Sequence, residues 1–350
     1  MSELAPSPPA GASTVDSAGA PIAPAPTAGG PKRSDLLGRV SQLGVPLTML
    51  ACIVFFSIQD ERFSSVANLR TTLATGAPLL IIALGLTVVL VMGDFDLSIS
   101  GMLSASGALI VVLLVNHGWA WGWAVLFTLV LAGLFGSING VLVAYVGTPS
   151  FITTLATGVV LAGVEYALTG GRFITGTGFM SDAYRDLGVG EPDPWTGFAS
   201  PVWIAAALAL VLWLVLAKTE VGRYMYAIGG NPEAARLSGI RVRRLRLTGF
   251  VMVALCATVG AVITTARTAS SIPNTGATLL LPAFAAAFLG AAMSRRNQFN
   301  VGGTVFGVLF LQVVQTGLTF MGYEQDVQNI AQGVILVGAM LISRLGATRR

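Results

Sequence analysis

Ten runs of mostly apolar residues, each about 17 residues or longer, occupy most of this 350-residue chain. A helix of such a run crosses the bilayer because all its backbone hydrogen bonds are internal. Only 10% of the residues are charged and 54% are hydrophobic, which excludes a soluble domain of this size. The sequence therefore predicts an all-α polytopic membrane protein with about ten transmembrane helices.

The predicted spans are separated by short polar turns and two longer polar stretches. Pro78 is expected to kink the second span. The spans fall at about 41–58, 72–92, 97–115, 120–146, 150–168, 200–217, 247–266, 277–293, 299–321 and 327–343.

The two ends of the chain differ from the predicted permease domain, residues 35–346. Residues 1–34 are rich in Ala, Pro, Ser and Gly, a composition that cannot build a core and predicts a disordered tail. The tail lacks the basic start and apolar centre of a cleavable signal, so the first span is expected to direct insertion. Residues 347–350 are expected to be a short cytoplasmic tail.

The distribution of Lys and Arg predicts the orientation, because basic loops stay in the cytoplasm. With the N-terminus inside, fifteen of the twenty basic residues lie in inner segments and five in outer loops. Both termini and the central polar stretch are therefore expected to be cytoplasmic. No interleaving of basic and aromatic residues suggests a nucleic-acid surface.

The central polar stretch, residues 218–246, holds seven of the twenty basic residues and is called the basic segment below. Its centre predicts a short helix: Asn231 can cap it, Pro232 suits the first position, and Glu233 complements the helix dipole. Gly239 can adopt the left-handed turn that ends it. So short a helix is marginal alone and is expected to dock on a partner. The surface expected to dock is made of small or smooth side chains, Ala234, Ala235 and Leu237.

Three stretches of this chain resemble ABC importer permeases of the ribose and simple-sugar type. They are GRYMYAIGGNPEAARLSGI in the basic segment, GDFDLSISGMLSASGAL (Gly93–Leu109) and NGVLVAYVGTPSFITTLATG (Asn139–Gly158). The resemblance covers roughly residues 69–344. It implies that the basic segment is a coupling loop seated on an ATP-binding cassette subunit. It also implies an extracytoplasmic solute-binding protein, a second permease subunit and a bacterial inner membrane.

The chain shows no energy source of its own. A phosphate-binding loop needs Gly directly before Lys, but Lys32 and Lys218 follow Pro31 and Ala217. ATP hydrolysis is therefore expected on a partner chain, and neither a catalytic residue, a cofactor nor a metal is expected here. Ion-coupled carriers place ionisable groups at membrane depth, whereas the predicted spans contain only Glu165, read as an outer-interface residue.

The scarcity of buried charge favours a neutral, hydroxyl-rich solute. Amide, hydroxyl and aromatic side chains in the spans could line its path, and Thr153 and Thr157 share a helix face. The polar members could instead bond neighbouring helices. The candidates are Asn139, Phe151, Thr153, Thr154, Thr157, Phe284, Gln312 and Gln315.

Several residues bear on the finer assignment. Asp96 or Ser98 could cap the third helix. Asp94 replaces a glycine common in the resembling family, and Leu280–Pro282 replaces an acidic region, so the exact sugar stays open. Four arginines that follow the predicted short helix of the basic segment are expected at the inner lipid surface: Arg241, Arg243, Arg244 and Arg246. The alternatives are a branched-chain amino acid or nucleoside ABC permease and an ion-coupled secondary carrier.

Overall fold

The computed structural model describes residues 33–176, 178, 180–190, 196–294 and 297–347. The predicted tail of residues 1–34 lies almost entirely outside this part, as do Arg295, Arg296 and the last three residues. The regular secondary structure of the described residues is helical apart from two short strands, β1 (Ile174–Thr175) and β2 (Ser270–Ser271), which pair antiparallel. The all-α fold is confirmed.

Thirteen α-helices follow one another in the described residues. They are α1 (Arg33–Gln59), α2 (Val66–Val91), α3 (Ser98–Val115), α4 (Trp121–Val141), α5 (Ser150–Thr169), α6 (Asp182–Val189), α7 (Ser200–Lys218), α8 (Glu220–Gly230), α9 (Pro232–Leu237), α10 (Val242–Thr268), α11 (Thr275–Met293), α12 (Val301–Phe320) and α13 (Gln325–Ala347). A short 3-10 helix, Glu61–Ser64, precedes α2, and a π-helical turn, Leu142–Val146, extends α4.

Each predicted span lies on one long helix. Within the described residues, eight helices are long and apolar enough to cross a membrane, namely α2, α3, α4 with its π-turn, α5, α7, α10, α11 and α12. The first predicted span corresponds to a shorter apolar stretch of α1, Val45–Gln59. The tenth lies on α13, which carries Asp326 in its first turn. The polytopic membrane architecture is confirmed.

The helices differ in how much of their surface the protein covers. In α2 and α3, 83% of the most apolar 18-residue stretch of the helix is buried in the protein, whereas in α5 and α7 only 22% is. Helices that are apolar all round and half uncovered are stable when hydrocarbon covers the rest. The structure therefore has a core of α2, α3 and α10, and a periphery that includes α4, α5 and α7.

Glycines allow the closest helix contacts, because a residue without a side chain lets two backbones approach. A methyl group at Gly290 would lie 2.2 Å from the carbonyl carbon of Gly303, and one at Gly307 would lie 2.1 Å from the Ala286 oxygen. The backbones of α11 and α12 therefore touch, and no larger residue fits between them. Gly136 packs likewise against α10.

The connecting loops gather at two ends of the bundle. At one end, β1 and β2 join the loop after α5 to the loop after α10, and Arg70 Nη2 donates to the Thr196 oxygen at 3.3 Å. At the other end, the basic segment meets the α2–α3 turn and the segment before α12. These ends are called the ribbon end and the basic end.

Candidate functional site

The basic segment folds into two short helices, α8 and α9, which are joined by the single residue Asn231. Thr219 caps α8 by accepting the Gly222 N–H at 3.2 Å. Asn231 follows α8 directly, and its Oδ1 accepts the N–H groups of Glu233 and Ala234, both at 3.0 Å. The predicted cap is confirmed, and the extended backbone of Asn231 separates α9 from α8.

Gly239 ends α9 in the left-handed region, as its position predicts. Its φ is +83°, and its N–H bonds the Arg236 carbonyl at 3.0 Å. No atom lies within 4 Å of the place where a Cβ would be built. Glycine is therefore required here by backbone conformation and not by crowding.

The outward surface of α9 differs from the predicted one at a single residue. Ala234 and Leu237 are exposed, but Ala235 is 5% exposed and belongs to the main apolar core with Met225 and Ile228. Ala235 is therefore packed inside the protein, and the free face of α9 carries Ala234 and Leu237 without it. Leu237 is 78% exposed and is the apolar centre of the free face.

An ion pair fixes the charge on the same face. Arg236 donates to both carboxylate oxygens of Glu233, and both side chains are exposed. The hydrogen bonds from Arg236 hold the pKa of Glu233 below its usual range. The free face of α9 therefore carries one large apolar side chain, Leu237, beside an ion pair that has no net charge.

Helix α8 is seated tightly on the bundle. A methyl group at Gly229 would lie 2.0 Å from the Val91 oxygen at the end of α2. Met225 and Ile228 are fully buried, and Tyr226 Oη donates to the Phe299 oxygen at 2.9 Å. A displacement of α8 therefore has to displace the basic ends of α2 and α12.

Arg246 is expected from the sequence at the inner lipid surface, but the structure pairs it with an acidic residue of the protein. Its Nε lies 3.0 Å from Oδ2 of Asp94, a side chain that is 5% exposed. The N–H is not aimed at the oxygen, so the contact is an ion pair without a hydrogen bond. Burial raises the pKa of Asp94, and the charge of Arg246 opposes that rise. Arg241, Arg243 and Arg244 are exposed, with Arg243 over the Tyr145 ring.

Asp96 binds the start of α3, as one of the two predicted capping groups. Its Oδ1 accepts the Ser98 N–H at 2.8 Å and the Ser98 hydroxyl. Burial raises the pKa of Asp96 to about 6. Asn139 Nδ2 donates to Ser98 Oγ at 2.8 Å, and Asn139 is 1% exposed. Asn139 therefore joins α4 to α3 in this structure and does not line an open path.

The candidate threonines of α5 bond within the protein. Thr154 is fully buried, accepts the Leu97 N–H at 3.0 Å and donates to the Ser150 oxygen at 2.7 Å. Thr153 donates to Thr148 Oγ1 at 2.7 Å, and Thr157 donates to the Thr153 oxygen at 3.1 Å. Phe151, on the same helix, is 52% exposed on the apolar outer surface.

The remaining candidates lie in two separate places. Phe284 is buried and stacks on Phe95 with ring centroids 6.2 Å apart. Gln312 is buried against α2, where a methyl group at Gly76 would lie 2.8 Å from its Nε2, and Gln315 is half-buried three residues further on. The structure thus brings Thr154 and Phe284 to the same α2–α3 turn but keeps the glutamines apart from them.

A cleft near the ribbon end was missed by the sequence analysis. It has a volume of about 20 Å³ between α3, α10 and α11, which is room enough for one water molecule. The run of Ser and Thr over residues 264–275 is the sequence signal that could have indicated this cleft. Seven hydroxyl side chains line it. They are Ser104, Thr264, Thr265, Thr268, Ser270, Ser271 and Thr275.

Glu165 lies near the end of α5 that faces the ribbon end. It is buried, and its Oε1 accepts the Asn274 N–H at 2.9 Å, at the start of α11. The carboxylate therefore stabilises the beginning of a helix, where negative charge is favourable.

Comparison with known proteins shows which family the chain belongs to. Residues 68–340 match the family model described as branched-chain amino acid transport system / permease component. The chain is 33% identical to the ribose import permease of Escherichia coli K12 over 301 residues, which is 85% of this chain and 91% of that protein. It is 31% identical to the ribose import permease of Bacillus subtilis 168, covering 89% and 96%.

A third relative carries a different printed sugar. The L-arabinose transport system permease of Escherichia coli K12 is 28% identical over 319 residues, covering 90% of this chain and 94% of that protein. No solved structure matches the chain. Because the family model covers most of the chain and the identity to the ribose permease exceeds 30%, this protein is a multi-pass membrane protein that belongs to the branched-chain amino acid transport system / permease component family.

Proposed function

We propose that this chain is the membrane-spanning permease subunit of an ATP-binding-cassette importer for a monosaccharide such as ribose. The observation that carries this proposal is similarity over 85–90% of the chain to permeases named for ribose and L-arabinose. The alternative substrates, branched-chain amino acids and nucleosides, have less support among these relatives.

The partners follow from the same proposal. The free face of α9 docks in a groove of a separate ATPase subunit, which hydrolyses the ATP. An extracytoplasmic binding protein delivers the solute at the ribbon end, and a second permease subunit completes the path. The excess of basic residues in the basic segment supports a cytoplasmic basic end. Membrane lipid covers the exposed apolar faces of α4, α5 and α7.

The basic segment suits force transmission for a physical reason. A short helix capped at both ends moves as a rigid body, and α8 ties it to the bundle through Gly229 and Tyr226. ATP-driven movement of the partner groove would then reach the membrane helices without being absorbed by a flexible loop.

Membrane vesicles test the substrate and the energy source together. Uptake of radiolabelled ribose is expected to require ATP and the ATPase subunit, and to persist when an ionophore collapses ion gradients. Unlabelled ribose or arabinose should compete, whereas leucine and adenosine should not. Competition by leucine alone would instead favour an amino acid permease, and ionophore-sensitive uptake without ATP would favour a secondary carrier.

The N-terminal residues are proposed to be dispensable, since their composition cannot form a core. Deletion of residues 2–30 should leave both insertion and uptake near the level of the full chain. Loss of uptake with normal insertion would assign a function to this tail.

A further inference from the structure

A row of four phenylalanines crosses the basic end of the bundle. Phe95 stacks on Phe284 with centroids 6.2 Å apart, and Phe284 stacks on Phe288 at 6.5 Å. Phe288 meets Phe299 edge to face at 5.1 Å. These residues, called the aromatic row, connect the α2–α3 turn through α11 to the segment before α12.

The first helix of the basic segment contacts one end of the row. Tyr226 of α8 donates its hydroxyl to the backbone oxygen of Phe299 at 2.9 Å. Because α8 also presses on the end of α2 through Gly229, it has little freedom to rotate independently of this contact.

The last residue of the basic segment contacts the residue next to the other end of the row. Arg246 pairs with Asp94, which directly precedes Phe95 in the α2–α3 turn. Asp94 is nearly inaccessible to solvent, so its charge has little water to compensate it if Arg246 moves away. Movement of the start of α10 therefore pulls on the turn that carries Phe95.

The same turn is fastened to α5. Phe95 N–H donates to Ser150 Oγ at 3.2 Å, and Leu97 N–H donates to Thr154 Oγ1 at 3.0 Å. The α2–α3 turn thus receives contacts from α5, α10 and α11 within four residues. A shift of this turn has to change the spacing of those three helices at the basic end.

We propose that the aromatic row, held by Tyr226 at one end and by the Asp94–Arg246 pair at the other, transmits movement of the basic segment to the basic ends of α3, α5 and α11. The basic segment contacts the Phe299 backbone through Tyr226 and the residue before Phe95 through Arg246, so movement of α8 and α9 reaches both ends of the row. Tyr226, Asp94 and Arg246 are positioning residues that make solute movement follow ATP hydrolysis. This inference rests on the proposed function.

The first test removes the contact at α8 with the smallest possible change. Tyr226→Phe deletes only the hydroxyl, so folding and assembly with the ATPase should persist. The ratio of solute taken up to ATP hydrolysed should fall severalfold in proteoliposomes supplied with ribose and the binding protein. Tyr323→Phe, at an exposed tyrosine of the ribbon end, is the control and should keep the ratio. An unchanged ratio for Tyr226→Phe would overturn the proposal.

The second test separates transmission from simple stability. Asp94→Asn with Arg246→Gln removes both charges, so neither is left buried and unpaired. This double variant should assemble and hydrolyse ATP but should take up severalfold less solute per ATP. Exchanging the charges, Asp94→Arg with Arg246→Asp, should recover part of the ratio. Full coupling in the neutral double variant would show that the pair serves folding alone.

These outcomes are distinguishable from failure of the proposed function. If the unmodified chain shows no ATP-dependent uptake of ribose, the substrate or the transport class is wrong. If the unmodified chain transports and the variants lose uptake and hydrolysis in equal proportion, the proposed function stands and the transmitting role of the row is wrong.

Discussion

Ala235 and Leu237 lie two residues apart on α9 and face opposite ways, the first 5% exposed and the second 78% exposed. The helix therefore has an inner side that packs on the protein and a free side centred on a leucine. In the proposed complex, docking on the ATPase subunit would bury this leucine.

Replacing Leu237 is expected to weaken attachment of the ATPase subunit. Full burial of a leucine contributes about 1.5–3 kcal/mol, which corresponds to roughly a ten- to hundredfold change in affinity. Leu237→Asp should therefore reduce the amount of ATPase that co-purifies from detergent, whereas Leu237→Met should retain it. Equal recovery with Leu237→Asp would show that α9 does not dock through this face.

Tryptophan at Ala234 and at Ala235 should have different effects, because only Ala235 is buried. Overpacking a core typically costs about 1–3 kcal/mol, so Ala235→Trp should lower the thermal stability of the isolated permease. Ala234→Trp should leave that stability unchanged and reduce ATPase binding instead. The comparison uses thermal unfolding of the permease alone and co-purification of the complex. Identical behaviour of the two variants would contradict the placement of these residues.

Gly239→Val is expected to strain the end of α9 through its backbone. A left-handed residue that is not glycine costs roughly 1–2 kcal/mol, and a β-branched side chain tolerates this region least. Since no atom crowds the position, Gly239→Asn should be much milder. Uptake measurements on membranes with equal permease content would check this, and normal uptake by Gly239→Val would remove the requirement for this turn.

Acid should stabilise the folded protein through Asp96. Burial raises its pKa from 3.8 to about 6, so the folded state binds a proton more tightly than the unfolded state. This contribution to stability is present below pH 3.8 and is lost as the pH rises through about 6. The stability measured by thermal unfolding in detergent should change with pH across this window. The change should be smaller in Asp96→Asn, which retains Asp94, whose pKa burial also raises. An identical slope in the variant would place the titration elsewhere.

The orientation can be tested at Ser238, an exposed residue after α9. Ser238→Cys, in a chain with Cys52 and Cys256 replaced, should resist a membrane-impermeant thiol reagent in intact cells. Labelling should appear once the membrane is permeabilised. Rapid labelling from outside would invert the proposed topology.

Local chemistry explains which features could be predicted from the sequence. The spans follow from hydropathy alone, and the caps at Asn231 and Gly239 depend on residues within one turn of the helix. The inward side of Ala235 could not be predicted, because it depends on where α8 places α9 against the core. The Asp94–Arg246 pair likewise joins residues far apart in sequence, and no single-sequence pattern links them.

The candidate path depends on tertiary contacts for a related reason. Residue type indicated Asn139, Thr154 and Gln312 as polar groups inside a membrane domain, and all three are buried. Their hydrogen-bond partners, which decide between lining a path and joining helices, are set by tertiary packing. In this structure Asn139 and Thr154 bond the start of α3 and the turn before it.

The most direct test of the whole account is transport by a fully defined system. Proteoliposomes would contain the permease and its ATPase subunit, with ATP enclosed and with the binding protein and radiolabelled ribose outside. The account predicts ribose accumulation that requires enclosed ATP, is insensitive to ionophores and falls with Leu237→Asp. Accumulation that ignores ATP and disappears with an ionophore would contradict it.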